Sequence, residues 1–400
     1  MAMTRIIRGA ATGLLAAALT LTAGLAAQAA PAARHTLAAH RLNPALASLA
    51  TYKYTLSRIA WNGSHILIAA TDSHGDLYFF WQKAGTTTWH KELVAEAGKK
   101  TAYRSPSITW TGHAVAIAAV DKAGDLFYFS QPADSTKWRH HRVAGASSGR
   151  FTSPSITAVS GGPVFISADT PTKLVSYEQT TGSSTWKRLV VATGTFGAPS
   201  IIVCYDSHIA EYLALVTAAS STRSLYFWWE YVNSPGWNQE TVAAASPGVG
   251  YVGGSLATTP DNLLLTAATT TGNVDEWSQA IGGTGWSESS VASGIPGAHY
   301  VHPQIVWSGP VPNSTVTFDV IAATQDGSLV FWWAYDGSGA WSGEVVASVS
   351  PKAVAYTAPG ISETGKSVII TAVNTTSGEV DFWHQKFGAT TWPKQRVAKG

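Results

Sequence analysis

Six tryptophans, Trp61, Trp81, Trp110, Trp229, Trp307 and Trp333, stand outside the regular spacing described below, and their faces are suited to holding a ligand. A partly exposed indole stacks on the apolar face of a sugar or a similar molecule. Gln82 follows Trp81 and Glu230 follows Trp229, with Gln131, Gln179, Gln279 and Gln385 at the same register. An amide or carboxylate beside an aromatic plane can hydrogen-bond hydroxyl groups. The alternative is structural: the indoles seal contacts between elements and the Gln side chains satisfy turns.

Catalytic chemistry has less to draw on. Glycoside hydrolysis usually needs two carboxylates at a set separation. Asp275, Glu276, Asp319, Glu178 and Asp381 interrupt apolar strands, yet no acid recurs at a fixed position. The 12 His form only local pairs, His140-His141 and His299/His302, and no HExxH. The single Cys204 excludes an intrachain disulfide and a Cys-based zinc site. No GxSxG, phosphate-binding loop or EF-hand pattern occurs, and neither a metal nor a cofactor is expected. Asn62, Asn313 and Asn374 begin N-x-S/T triplets, relevant only in a host that glycosylates exported proteins.

The elements that position these groups follow from a repeat. Trp89, Trp138, Trp186, Trp237, Trp286, Trp341 and Trp392 are each followed five residues later by Val and then Ala. Twelve residues before each lies Leu or Val, and three residues after that an aromatic: Phe80, Phe129, Tyr177, Trp228, Trp277, Trp332 and Trp383. Further upstream, Tyr54, Tyr103, Phe151, Phe196, Tyr251, Tyr300 and Tyr356 each precede Ile or Leu by five residues. Each copy holds four short runs rich in β-branched and aromatic residues, separated by Gly, Ser, Thr, Asn and Asp. The second run is continuously apolar, as in Ile66–Ala70, so it is buried on both faces.

Four antiparallel strands per copy, a period near 50 and seven copies predict an all-β fold, a seven-bladed β-propeller. The blades span about 54–95, 103–144, 151–192, 196–243, 251–292, 300–347 and 356–398. A linear solenoid would need polar end caps, and the first and last copies are as apolar as the rest. The first copy begins on its inner strand and the last ends on its outer strand, so no strand-swapped closure is expected and the ring closes by packing. The fourth-strand Trp and third-strand aromatics are read as core. The first-strand aromatics are read mainly as packing, with lining of the central channel as the alternative. Two copies carry insertions between strands one and two, Cys204–Tyr212 and a stretch around Gly309–Thr315. These and the six extra tryptophans, at the ends of strands one and three, fall on one rim, where partners are usually met.

Residues 1–29 read as a secretory signal: Arg5 and Arg8, an Ala/Leu-rich run, then Ala27-Gln28-Ala29. Residues 30–53 read as a linker or lead-in, and 54–398 as the propeller, so the protein is expected to be extracellular, with no membrane span after the signal is removed. The net charge of +2 belongs to the signal, because the remainder carries 24 basic and 24 acidic residues. Nucleic acid is therefore not an expected partner, since its binding draws on excess Lys and Arg.

At Gly75-Asp76-Leu77-Tyr78-Phe79-Phe80-Trp81-Gln82, and at Val380-Asp381-Phe382-Trp383-His384-Gln385, the chain resembles secreted bacterial β-propeller proteins. The architecture is similar to the seven-bladed lectins of the Photorhabdus type. That resemblance implies binding of fucose or related sugars at repeated sites between blades. The expectation is a secreted, non-catalytic, carbohydrate-binding propeller with glycans as partners, using Trp61, Trp81, Gln82, Trp110, Trp229, Glu230, Trp307 and Trp333. A protein-interaction scaffold and a glycoside hydrolase or lyase are the alternatives.

Overall fold

The structure is a computed structural model and describes residues 53–98, 101–207, 209–232, 234–294, 299–309, 317–324, 326–335, 340–349 and 355–400, with the backbone alone at 235, 317–324, 335 and 358. The expected signal, the lead-in before residue 53, most of the second insertion with Asn313, and the side chain of Asp319 lie outside the described residues. Among the described residues, 28 strands pair into seven four-stranded antiparallel sheets, each built from four consecutive strands. The molecule is an all-β propeller of four-stranded blades, numbered here in chain order. The one helical element among the described residues is the 3-10 turn Ala146–Ser148.

Blade 1 shows the plan: strands Tyr54–Trp61, His65–Asp72, Leu77–Lys83 and His90–Ala95. Its second strand is buried at every residue. Leu67 and Ala69 point into blade 2, while Ile66, Ile68 and Ala70 point into blade 7. Every other pair of neighbouring blades shares an apolar cluster in the same way, so the core is a closed cycle of seams. In blade 3 the first strand is shortened to Ser155–Ala158. There the Asp169 carboxylate accepts from the Ser153 N–H at 3.0 Å and the Thr152 hydroxyl at 2.5 Å.

The first-strand aromatics pack edge-to-face on the third-strand aromatics of their own blade and do not simply ring the channel. The seven pairs are Tyr54–Phe80, Tyr103–Phe129, Phe151–Tyr177, Phe196–Trp228, Tyr251–Trp277, Tyr300–Trp332 and Tyr356–Trp383, with centroids 4.9–6.0 Å apart. Such pairs add about 0.5–1.5 kcal/mol each beyond their burial.

The seams are also tied by hydrogen bonds from the repeat residues. Trp138 Nε1 and Gln131 Nε2 of blade 2 donate to Glu92 of blade 1 at 3.1 and 2.7 Å. Trp286 and Gln279 donate to Glu240 at 3.1 and 2.9 Å, and Trp392 and Gln385 to Glu344 at 2.9 and 2.6 Å. Trp89 and Gln82 of blade 1 donate to Gln395 of blade 7 at 3.2 and 2.8 Å. The last and first blades thus meet through the same contacts as internal neighbours, and no strand passes between their sheets.

Candidate functional site

The position facing the next blade's Trp stands three residues after the fourth-strand Trp, and its identity changes around the ring: Glu92, His141, Leu189, Glu240, Ser289, Glu344 and Gln395. Leu189 has no acceptor, and the buried Trp237 Nε1 opposite it lacks a partner. His141 accepts from Trp186 Nε1 at 2.6 Å through Nε2, which places the imidazole proton on Nδ1. Burial and the neighbouring His140 lower the pKa of His141, keeping it a neutral acceptor. With His141 occupied by the indole, Gln179 of blade 3 is not tied across the seam as Gln82, Gln131, Gln279 and Gln385 are.

Gln179 faces a cleft of about 240 Å³ between blades 2 and 3. Its polar lining includes Tyr128, Ser130, Arg139, Gln179, Thr181 and His113. Ala114, Pro132 and Val164 supply apolar wall. Tyr128 is buried edge-on to Trp186, centroids 5.2 Å apart, and burial raises its phenol pKa, so the hydroxyl stays a donor. Arg139 is exposed and has no ion-pair partner among the described residues. No carboxylate appears in the lining. The cleft therefore offers a cation, an amide and hydroxyls beside a small apolar surface, a donor-rich setting for a polyhydroxylated ligand.

The cleft opens here because of two small residues. The mouth of each seam is formed by one third-strand side chain and one side chain ending the next blade's first strand. Between blades 1 and 2 these are Trp81 and Trp110, and both pack into the seam. Between blades 2 and 3 they are Ser130 and Ala158. Every other seam carries at least one larger side chain at this level: Glu178, Trp229, Trp307, Trp333, or Trp61 opposite His384.

The expected site residues therefore lie on one rim but do not converge. Trp81 is buried, stacks on His90 at 3.9 Å and 14°, and donates to Glu92 at 3.2 Å. Gln82 is buried and engaged by Gln395, so it is a seam tie and not a free ligand contact. Trp61, Trp110, Trp229, Trp307 and Trp333 are half-buried, each against the core of its own seam. Trp229 lies edge-on to Tyr231, and Trp333 stacks on Phe331. The Trp307 indole N–H is buried without a partner among the described residues. Glu230 is buried, accepts the Gly236 N–H at 3.2 Å, and has its pKa raised by burial. These side chains close seam mouths. What the spacing of the copies does not show is the seam where such side chains are absent, at Ser130 and Ala158.

Among the described residues the expected acids do not form a pair either. Asp381 is ion-paired with Lys394 at 2.7 Å and Glu178 lies 3.9 Å from Lys187. Asp275 and Glu276 are adjacent in one strand and so point to opposite faces. Burial, with Glu288 adding to it, raises Asp275 to about 6, and burial alone raises Glu276 to about 8. Among the described residues no cluster of three or more His, Cys, Asp or Glu side chains could hold a metal ion.

No protein-family model and no curated protein matches the chain. Solved structures do. The fold is similar to that of a bacterial lectin. The lectin BP39L from Burkholderia pseudomallei aligns with a TM-score of 0.69 and 15% identity, over 86% of this chain and 100% of that one. A mutant of AofleA from Arthrobotrys oligospora aligns with a TM-score of 0.50 and 14% identity, over 75% and 88%. The lectin of Aleuria aurantia, described as a six-bladed propeller with a fucose recognition mode, gives a TM-score of 0.48 and 14% identity, over 76% and 98%.

Proposed function

We propose that the chain is a non-catalytic carbohydrate-binding protein, a single ring of seven blades that holds a sugar in the cleft between blades 2 and 3. The observation that carries this reading is the convergence of Arg139, Gln179, Tyr128 and Ser130 on one cleft, at the seam that carries the small residues Ser130 and Ala158. Arg139 and Gln179 would hydrogen-bond ring hydroxyls, and the Tyr128 edge and Val164 would meet an apolar face. The cleft's lack of lining carboxylates favours binding over hydrolysis, and the likeness to a lectin fold is consistent with it. Residues 1–29 serve in this reading as an export signal, so the ring acts outside the cell. Purified secreted protein should begin at Ala30.

The test is a glycan array, followed by titration with methyl α-L-fucoside and with the best array hit. Arg139→Ala and Gln179→Ala should each weaken binding roughly tenfold or more, as expected when a hydrogen bond to a charged or buried group is lost. An array without signal, or an Arg139→Ala variant that binds as the parent does, would sink the proposal. A second reading rests on the insertion in blade 4, which extends the hairpin Phe196–Asp206/Glu211–Ser220 and leaves Tyr205, Ile209 and Tyr212 exposed at its tip. Such a tip suits contact with another protein. A sugar-independent partner lost on Tyr205→Ser would favour it.

A further inference from the structure

The rim opposite the sugar cleft carries the turns between strands two and three. In five blades the same turn position is a glycine with left-handed φ: Gly75 (89°), Gly124 (92°), Gly272 (91°), Gly327 (86°) and Gly378 (72°). Its carbonyl accepts the N–H of the next blade's first-strand aromatic, as Gly75 does from Tyr103 at 2.8 Å. Glycine is required twice over. The φ is one that side chains rarely adopt, and a Cβ there would strike the residue before that aromatic, such as Ala102 or Ala355 at 2.5 Å.

Blade 4 breaks this rule. Its turn residue is Arg223, held at φ 65°, and its carbonyl still accepts from Tyr251 at 2.8 Å. The residue facing it, elsewhere the bulky member, has become Gly250, where a Cβ would lie 2.5 Å from the Arg223 Cβ. The pair has exchanged roles, and the result is a long cationic side chain displayed from a strained position. Strain of this kind persists only where the surroundings enforce it and clusters at ligand sites.

Arg223 lines a cleft of about 360 Å³ with Val252, Ala268, Thr270, His299, Tyr300 and Val301. Its guanidinium has no hydrogen-bond or ion-pair partner among the described residues, and the lining holds no acid. Val252 is 48% exposed. The Thr270 hydroxyl is engaged by the Gly250 N–H at 3.0 Å. Free polar chemistry therefore comes from Arg223, with Tyr300 and His299 beside it, and the remaining wall is mostly apolar. Burial, then Asp326, raises the Tyr300 pKa, so its phenol remains a donor.

We propose that this opposite-rim cleft is a second ligand site, which takes a small carboxylate with an apolar body. Arg223 pairs with the carboxylate, and Val252, Ala268 and Val301 cover the body. The site is separate from the sugar cleft and does not depend on it.

The probe is 3-phenylpropionate, titrated into the full-length protein alongside its neutral amide. The carboxylate should bind at least roughly tenfold more tightly than the amide, because a charge-assisted pair is about twice as strong as a neutral one. Arg223→Gly should remove that preference and leave methyl α-L-fucoside binding and Tm intact. The double variant Arg223→Gly/Gly250→Ala rebuilds the Gly75–Ala102 arrangement, so it should fold as well as the parent and still not bind. Equal binding of acid and amide, absence of binding by either in the millimolar range, or retained acid binding in the folded double variant overturns the proposal.

Discussion

Replacing Glu92 by leucine would convert the seam between blades 1 and 2 into the kind of seam that blades 3 and 4 already have at Leu189. The Glu92 carboxylate accepts three hydrogen bonds, from Trp81 Nε1 at 3.2 Å, Gln131 Nε2 at 2.7 Å and Trp138 Nε1 at 3.1 Å. Trp81 and Gln131 are almost fully buried, at 5% and 1% exposure, so water cannot replace the lost acceptor at either without the seam opening. An orphaned buried donor costs about 1–3 kcal/mol. Two such donors give about 2–6 kcal/mol, from which the leucine's added apolar contact at a half-buried site recovers roughly 1 kcal/mol. The expected net loss is about 1–5 kcal/mol. Glu92→Gln keeps one acceptor oxygen, for Gln131 and Trp138, but turns an NH2 toward the buried Trp81 Nε1, so it should lose about 1–3 kcal/mol for that one orphaned donor. Urea unfolding followed by tryptophan fluorescence reads both variants as shifts in midpoint, and amide exchange should rise first in strands Leu77–Lys83 and Leu126–Pro132. Glu92→Leu with the parent's midpoint and exchange pattern would refute the view that these ties hold the seams.

Three further outcomes follow from the same geometry. Leu189→Gln supplies an acceptor for the orphaned Trp237 Nε1 and a donor toward Glu230, and should raise the unfolding midpoint by the equivalent of about 1 kcal/mol; an unchanged or lower midpoint counts against it. Ser130→Trp should fill the cleft mouth as Trp81 does over His90, stacking on Arg139 and abolishing sugar binding with little change in Tm, whereas retained binding would place the sugar elsewhere. Glu276, raised from 4.5 to about 8, stabilises the fold fully below pH 4.5, because the folded state holds its proton more tightly than the unfolded chain. That contribution is lost as pH rises from 4.5 to 8, so Glu276→Gln should flatten the stability profile over this window and gain most above pH 8.

The ring's plan was legible because one spacing serves two seams at once. A strand such as Ile66–Ala70 must be apolar at every position when alternate residues feed opposite neighbours, and the fourth-strand Trp recurs because in six of the seven copies it finds an acceptor one blade back, joined in four of them by a Gln. Ser130, Ala158, His141 and Leu189 were not legible, since each is unremarkable within its own copy. Ser130 acquires meaning only beside Ala158, which lies 28 residues away in the next blade. His141 matters because it takes the Trp186 N–H and leaves Gln179 unengaged. An alignment that stacks copies compares residues at one position, whereas the proposed ligand sites are made between positions of successive copies. The extra tryptophans are large side chains at seam mouths, half-buried apart from Trp81, which is buried. The proposed binding cleft lies at the seam whose pairing residues are jointly small and whose acceptor has been exchanged. These two features select the seam between blades 2 and 3 and pass over the one between blades 1 and 2, where Trp81 and Trp110 both stand.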